Sequence, residues 1–270
     1  MPRFAYPGHM AAARRALQEH LSLVDVVLEV LDARVPASSR NPDLARLLGN
    51  KDRVLVLNKE DLADPDLTAV WLGILRREGW PVLAVSAATG AGVASLPEAC
   101  AQLAAGRPAR RWRKSLRLMV AGMPNVGKSR LINVLVGRRV ARTGKGPGVT
   151  RGRQWLRLAE GMELLDLPGV LYPGLKNPGV LWRLAAVGII EPEENEIEVA
   201  EHLLRRLGTW YPAYVAARYG GADSVTDLAE VARRRGFLLP GGAPDLRRAA
   251  VSVLRDFREG KLGRCTLDRP

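Results

Sequence analysis

Eight consecutive residues, Gly122-Met123-Pro124-Asn125-Val126-Gly127-Lys128-Ser129, place two glycines with four residues between them ahead of a lysine and a serine. That spacing is the pattern of a loop that cradles phosphates. Glycines let backbone N–H groups crowd around phosphate oxygens, and the helix such a loop opens adds the partial positive charge of its N-terminus. Asn125, Val126 and Gly127 would line the phosphates. Lys128 would reach the β- and γ-phosphates, and the Ser129 hydroxyl would bind Mg2+.

A second stretch, Asn58-Lys59-Glu60-Asp61, suits base recognition. The Asp61 carboxylate can accept hydrogen bonds from guanine N1–H and its exocyclic amine. Adenine presents an acceptor at N1 and would leave that carboxylate unpaired, a large penalty in a buried site. Lys59 would lay its stem along the base while Asn58 braces the loop. Ser86-Ala87 follows another apolar run and can offer a backbone N–H to the guanine carbonyl. Asp166-Leu167-Pro168-Gly169 supplies Asp166 for magnesium, directly or through water, and the Gly169 N–H for the γ-phosphate. Thr150 is the candidate to close over the metal, with Thr143 second.

The elements needed to position these residues are present. Leu116–Ala121 reads as a buried strand leading into the glycine loop, and Leu131–Val136 as a helix ending at Gly137. Upstream, strands are expected at Val24–Leu31, Val54–Leu57 and Val82–Val85. Helices alternate with them at Ala11–His20, Asp43–Leu48, Leu67–Glu78 and Val93–Ala105. Gln154–Leu158 and Met162–Leu165 suggest a hairpin. Such alternation indicates an α/β fold with a doubly wound, mostly parallel sheet. From Glu191 to Glu201 there are six acidic residues and no basic one, and the remainder is helical with Gly and Pro breaks. Two domains are therefore expected: 1–190, carrying the nucleotide motifs, and 191–270, a smaller all-α domain.

Net charge is +13 over 270 residues, and it is unevenly spread. Residues 1–190 hold 28 basic and 15 acidic side chains, whereas 191–270 hold 13 of each. Between Glu98 and Glu160 there are 15 basic residues and no acidic one. Bound phosphates need two or three of them; the rest suit a large anionic partner such as RNA. Arg142, Lys145, Arg151 and Arg153, around Thr150, are the candidate RNA contacts. Apolar runs are too short to span a bilayer, so no membrane partner is expected. Cys100 and Cys265 form no metal pattern, and the first residues lack a signal-peptide core; a cytoplasmic monomer is expected.

The order of the motifs is unusual. A small GTPase runs phosphate loop, switch threonine, DxxG, NKxD, SA; here NKxD and SA come first. The chain resembles the circularly permuted ribosome biogenesis GTPase A (RbgA/YlqF) family. The residues that carry the likeness are Pro7-Gly8-His9-Met10, Asp32-Ala33-Arg34-Val35-Pro36, Asn58–Asp61, Gly122–Ser129, Pro147-Gly148-Val149-Thr150, Asp166–Gly169 and Gly260-Lys261-Leu262-Gly263. The resemblance implies a GTP- and GDP-binding GTPase that acts on precursors of the large (50S) ribosomal subunit. It also implies that the helical C-terminal domain contacts ribosomal RNA. The position after DxxG is Val170, not the glutamine that orients water in many GTPases. In the family the histidine matching His9 is the proposed catalytic group, and that role is carried to His9. In potassium-dependent GTPases an asparagine at the place of Asn125 ligates K+ beside the phosphates, making potassium a second candidate cofactor after Mg2+. The competing expectation, kept alive by Val170, is a non-hydrolysing sensor of GTP or an alarmone.

Overall fold

Near-continuous apolar runs become the central strands, as expected for a parallel sheet buried on both faces. The computed structural model describes residues 18–105, 115–137, 155–159, 161–166, 177–192, 195–220 and 226–270. Its six-stranded sheet contains β1 (Val26–Asp32), β2 (Asp52–Asn58), β3 (Val82–Ala84), β4 (Leu116–Gly122), β5 (Trp155–Ala159) and β6 (Met162–Asp166). The order is β3-β2-β1-β4-β6-β5, parallel except for the β5–β6 hairpin. The hairpin matches the sequence pattern, with one irregularity between Arg157 and Ala159.

Helices α1 (Pro42–Leu48) and α2 (Pro65–Arg76) cover one face of the sheet. Leu44 and Leu48 pack on Val27, Met119 and Leu165, while Trp71 and Leu75 pack on Leu31, Leu55 and Leu57. Asp64 caps α2, accepting from the N–H groups of Asp66 and Leu67, and Pro65 opens it. Alternation points Leu28, Val30, Leu118 and Val120 the other way, and they too are buried. Helices α3 (Leu96–Ala105) and α4 (Lys128–Val136) contact β2 and β4 respectively.

This topology gathers the functional loops. β1 and β4 are neighbours at the sheet centre, and their chains turn away at Asp32 and Gly122. In open α/β sheets ligands bind at such a switch point, outside the carboxyl ends of the strands. Asp32 pairs in register with Asn58 of β2, and Val120 with Asp166 of β6, so the motif-bearing ends share one edge.

The described C-terminal residues form a separate compact unit. It contains α5 (Pro178–Val187), α6 (Glu196–Trp210), α7 (Pro212–Tyr219), α8 (Leu228–Arg234) and α9 (Leu246–Arg258). Residues 177–190 were expected with the nucleotide domain, but α5 packs against α6 and α9. Arg258 of α9 donates to the carbonyls of Ala185 and Ala186, satisfying groups at the end of α5. The apolar side of α5 thus belongs to the helical unit, and the division falls before it, not near 190. Asp256, buried in α9, accepts a two-point pair from Arg218 and a further bond from Arg235. Both cysteines are buried and free, and burial pushes the Cys100 thiol up to about 12, leaving it protonated at neutral pH.

Candidate functional site

Gly122 ends β4 at φ 148°, where an added Cβ would stand 2.4 Å from the Val30 carbonyl oxygen of β1. Gly127 opens α4 at φ 100°, where a Cβ would lie 2.2 Å from Asn58 Nδ2. Glycine is needed at both for conformation and for space. Between them the chain turns through Asn125 at φ 58°, a left-handed position that asparagine tolerates. Helix α4 starts with no side-chain cap and no acid in its first turn. Its positive end is therefore not neutralised by its own sequence. Lys128 is buried and donates to the Met123 carbonyl at 2.7 Å. The half-buried Ser129 hydroxyl has no hydrogen-bond partner among the described residues.

Asn58 joins three motifs. Its Nδ2 donates to the Val126 carbonyl of the glycine loop at 2.8 Å, and its Oδ1 accepts from the Ala87 N–H at 2.9 Å. Its backbone carbonyl accepts from Ala33 N–H at 2.8 Å. The Ala87 N–H, expected to face a guanine carbonyl, is thus already engaged by Asn58. Ser86 donates its N–H to the Ala91 carbonyl, and its hydroxyl accepts from the N–H groups of Ala88 and Thr89. This loop shapes the rim of the site through internal bonds. Arg130 of α4 adds a bond to the Ala88 carbonyl.

Lys59, left-handed at φ 63°, donates from Nζ to the Asn125 carbonyl at 2.8 Å. The same Nζ lies 2.8 Å from Oδ2 of Asp32, which is fully buried. Arg34 grips Asp32 with Nε on Oδ1 at 2.9 Å and Nη2 on Oδ2 at 2.8 Å. Burial alone would raise the Asp32 pKa, but Arg34 and Lys59 outweigh it and hold the carboxyl well below the usual range. Burial draws the Lys59 ammonium below its ordinary value, against the opposing pull of Asp32. The Asp32–Lys59 partnership was missed from sequence; Asp32-Ala33-Arg34 was legible as the end of a strand and as a motif of the family resemblance, but with no role assigned to Asp32.

Asp61 sits on a short turn, Glu60–Leu62, and its Oδ1 is buried without a hydrogen-bond partner among the described residues. An unpaired buried acceptor costs about 1–3 kcal/mol, and a ligand edge carrying two donors could relieve it. Asp166 closes β6 beside the strand that leads into the glycine loop. His9, Arg142, Lys145, Thr150, Arg151, Arg153 and Gly169 lie outside the described residues.

A glycine loop at the central switch point, joined through Asn58 and Lys59 to a base-recognition motif earlier in the chain, defines a circularly permuted P-loop guanine-nucleotide-binding protein. A family model described as "50S ribosome-binding GTPase" matches residues 117–206. Ribosome biogenesis GTPase A of Priestia megaterium is 40% identical over 276 residues, covering 98% of this chain and 96% of the relative. The Thermotoga maritima protein of that name is 32% identical, covering 98% and 94%. A crystal structure of GNP-bound YlqF from T. maritima aligns with TM-score 0.67 and 28% identity, over 96% of this chain and 98% of that one. The chain belongs to the ribosome biogenesis GTPase A family, and it is a GTPase. Among the described residues no helix is long and apolar enough to cross a membrane.

Proposed function

We propose that this GTPase turns over GTP on precursors of the large ribosomal subunit, holding ribosomal RNA in a nucleotide-dependent way. The observation that carries guanine recognition is the unpaired buried Oδ1 of Asp61, beside a glycine loop that Asn58 and Lys59 tie to it. The ribosomal partner is supported by the relatives' name, by the family description and by the basic excess of residues 1–190.

Asp61 receives the donor edge of guanine, and Lys59, steadied by Asp32, flanks the base. Lys128 leaves the Met123 carbonyl for the phosphates, so loop and phosphate compete for one ammonium. The N-terminus of α4 and the N–H groups of Asn125, Val126 and Gly127 face the phosphate oxygens. Ser129 has a hydroxyl with no partner among the described residues, and Asp166 ends the neighbouring strand. One or two such oxygens suit Mg2+, which keeps phosphate and water for its other positions. When bound, the ion neutralises charge on the β- and γ-phosphates. Thr150 and Gly169 respond to the γ-phosphate, His9 is the candidate group acting on the attacking water, and Asn125 is the candidate K+ ligand. Arg142, Lys145, Arg151 and Arg153 contact RNA phosphates.

The test is base specificity. Asp61→Asn should weaken GTP binding by about a hundredfold or more and favour xanthosine triphosphate, whose base presents a carbonyl at that edge. Equal GTP affinity in parent and variant would remove Asp61 from base recognition.

A further inference from the structure

Arg130 is a cation in the first turn of α4, directly after Ser129. A positive charge there opposes the helix's own dipole, so helix stability gives no reason for it. Its guanidinium instead crosses to the rim of the base site, where Nη2 donates to the Ala88 carbonyl at 3.2 Å. Arg130 is exposed and makes no other hydrogen bond or ion pair among the described residues.

Ala88 lies in the loop that links β3 to α3. Its neighbour Ala87 gives its N–H to Asn58, which is almost fully buried. Successive residues of one loop are thus held from two sides. Ala87 is held from within, by the strand end that carries the base motif, and Ala88 from outside, by the helix that opens the phosphate site. The loop is closed on itself: Ser86 N–H donates to the Ala91 carbonyl, and Gly90 N–H to the Ser86 carbonyl. A little further along, Val93–Ser95 packs against α4. Asn58 to Val126, Lys59 to Asn125 and Arg130 to Ala88 each join the base motifs to the phosphate segment. The first of these is sealed from water, and Lys59 is backed by Asp32. The Arg130 bond stands in solvent with nothing behind it, so it opens most readily.

We propose that Arg130 is a positioning residue that clasps the rim of the base site to the phosphate helix and so sets how long a guanine nucleotide is retained. The proposal rests on guanine lying between Asp61 and the Ser86–Thr89 loop, with its phosphates on the glycine loop. In that arrangement the nucleotide bridges the two segments that Arg130 ties, and parting the rim from α4 is the step that frees it. The clasp lies on the base side and is indifferent to the γ-phosphate. It therefore bears equally on GTP and GDP, and on binding in place of the chemical step.

The experiment uses the full chain with Arg130→Ala and Arg130→Lys. Release of fluorescent GDP, and of a fluorescent non-hydrolysable GTP analogue, is followed during a chase with unlabelled nucleotide. Arg130→Ala should release both about three- to tenfold faster, the worth of a single hydrogen bond. Arg130→Lys keeps a charged donor and should recover most of the loss. The single-turnover rate of bound GTP should stay at the parent's value. Amide hydrogen exchange without nucleotide gives a second readout: residues 86–91 should exchange faster in Arg130→Ala. Parent-like release, or unchanged exchange in this loop, would overturn the clasp. So would a loss confined to the triphosphate, which would place the guanidinium on the γ-phosphate. Asp61→Asn measured alongside separates the two failures. If it keeps the parent's preference for GTP over xanthosine triphosphate, the base lies elsewhere and the underlying reading fails. If that preference reverses while Arg130→Ala behaves as the parent, only the clasp is wrong.

Discussion

Asp32 shows how much of the nucleotide site depends on a residue with no exposed surface. It is sealed in β1 with two cations on its carboxylate, one of which, Lys59, also braces the glycine loop. Asp32→Asn would strand those cations in a buried place, and breaking such a pair costs about 3–5 kcal/mol. The variant should melt at a lower temperature and bind GTP more weakly, both measurable by thermal unfolding with and without nucleotide. The pH dependence has a definite sign. The folded carboxyl titrates below its unfolded value of about 3.9, so its stabilisation is complete above that pH and is lost as pH falls toward the lower folded value. Denaturation compared at about pH 5 and about pH 2 should show the parent losing more stability than Asp32→Asn. A parallel loss in both would mean that Asp32 is not the charged partner of Lys59. None of this was legible in the sequence, because an Asp-Ala-Arg run does not say which lysine, 27 residues away, it will meet. Asp61 and Lys128, by contrast, stand in motifs whose spacing alone states their chemistry.

At the scale of elements, the site is a strand, a glycine loop and a helix held against the ends of two other strands. Gly127 marks the closest approach, since a Cβ there meets the Asn58 amide. Gly127→Ala should displace Asn58 from the Val126 carbonyl and loosen the Ala87 loop with it. Fluorescent guanine-nucleotide titration should show at least a tenfold loss of affinity, of the order expected for one or two broken buried hydrogen bonds. Unchanged affinity would mean that Asn58 does not brace the loop. The elements themselves were readable: β1, β2, β4 and the β5–β6 hairpin appear within about two residues of their expected limits, because buried strands and tight turns are local patterns. The grouping of α5 was not readable. Leu181, Leu184 and Ala185 announce a buried face, but periodicity cannot say which core receives it.

At the scale of the whole molecule, charge and motif order point the same way. The acid-free segment surrounds the glycine loop and includes the basic residues flanking Thr150. If a γ-phosphate fixes that segment, Arg151 and Arg153 should meet RNA phosphates in the GTP form more than in the GDP form. Binding to large-subunit precursors across a salt series should be steeper with a non-hydrolysable GTP analogue, by about one unit of slope for every additional RNA phosphate neutralised. Arg151→Ala with Arg153→Ala should flatten only the analogue curve. Equal slopes in both nucleotide states would reduce the basic segment to a solvated surface.

Phosphate release from GTP, with and without large-subunit precursor particles and at equal protein, tests the coupling of this GTPase to the ribosome most directly. The parent should turn over slowly alone and at least tenfold faster with particles, faster in potassium than in sodium, and His9→Ala should bind GTP yet lose most of the stimulated rate. Negligible release under every condition, or a rate indifferent to the particles, would contradict a GTPase cycle driven by ribosome assembly.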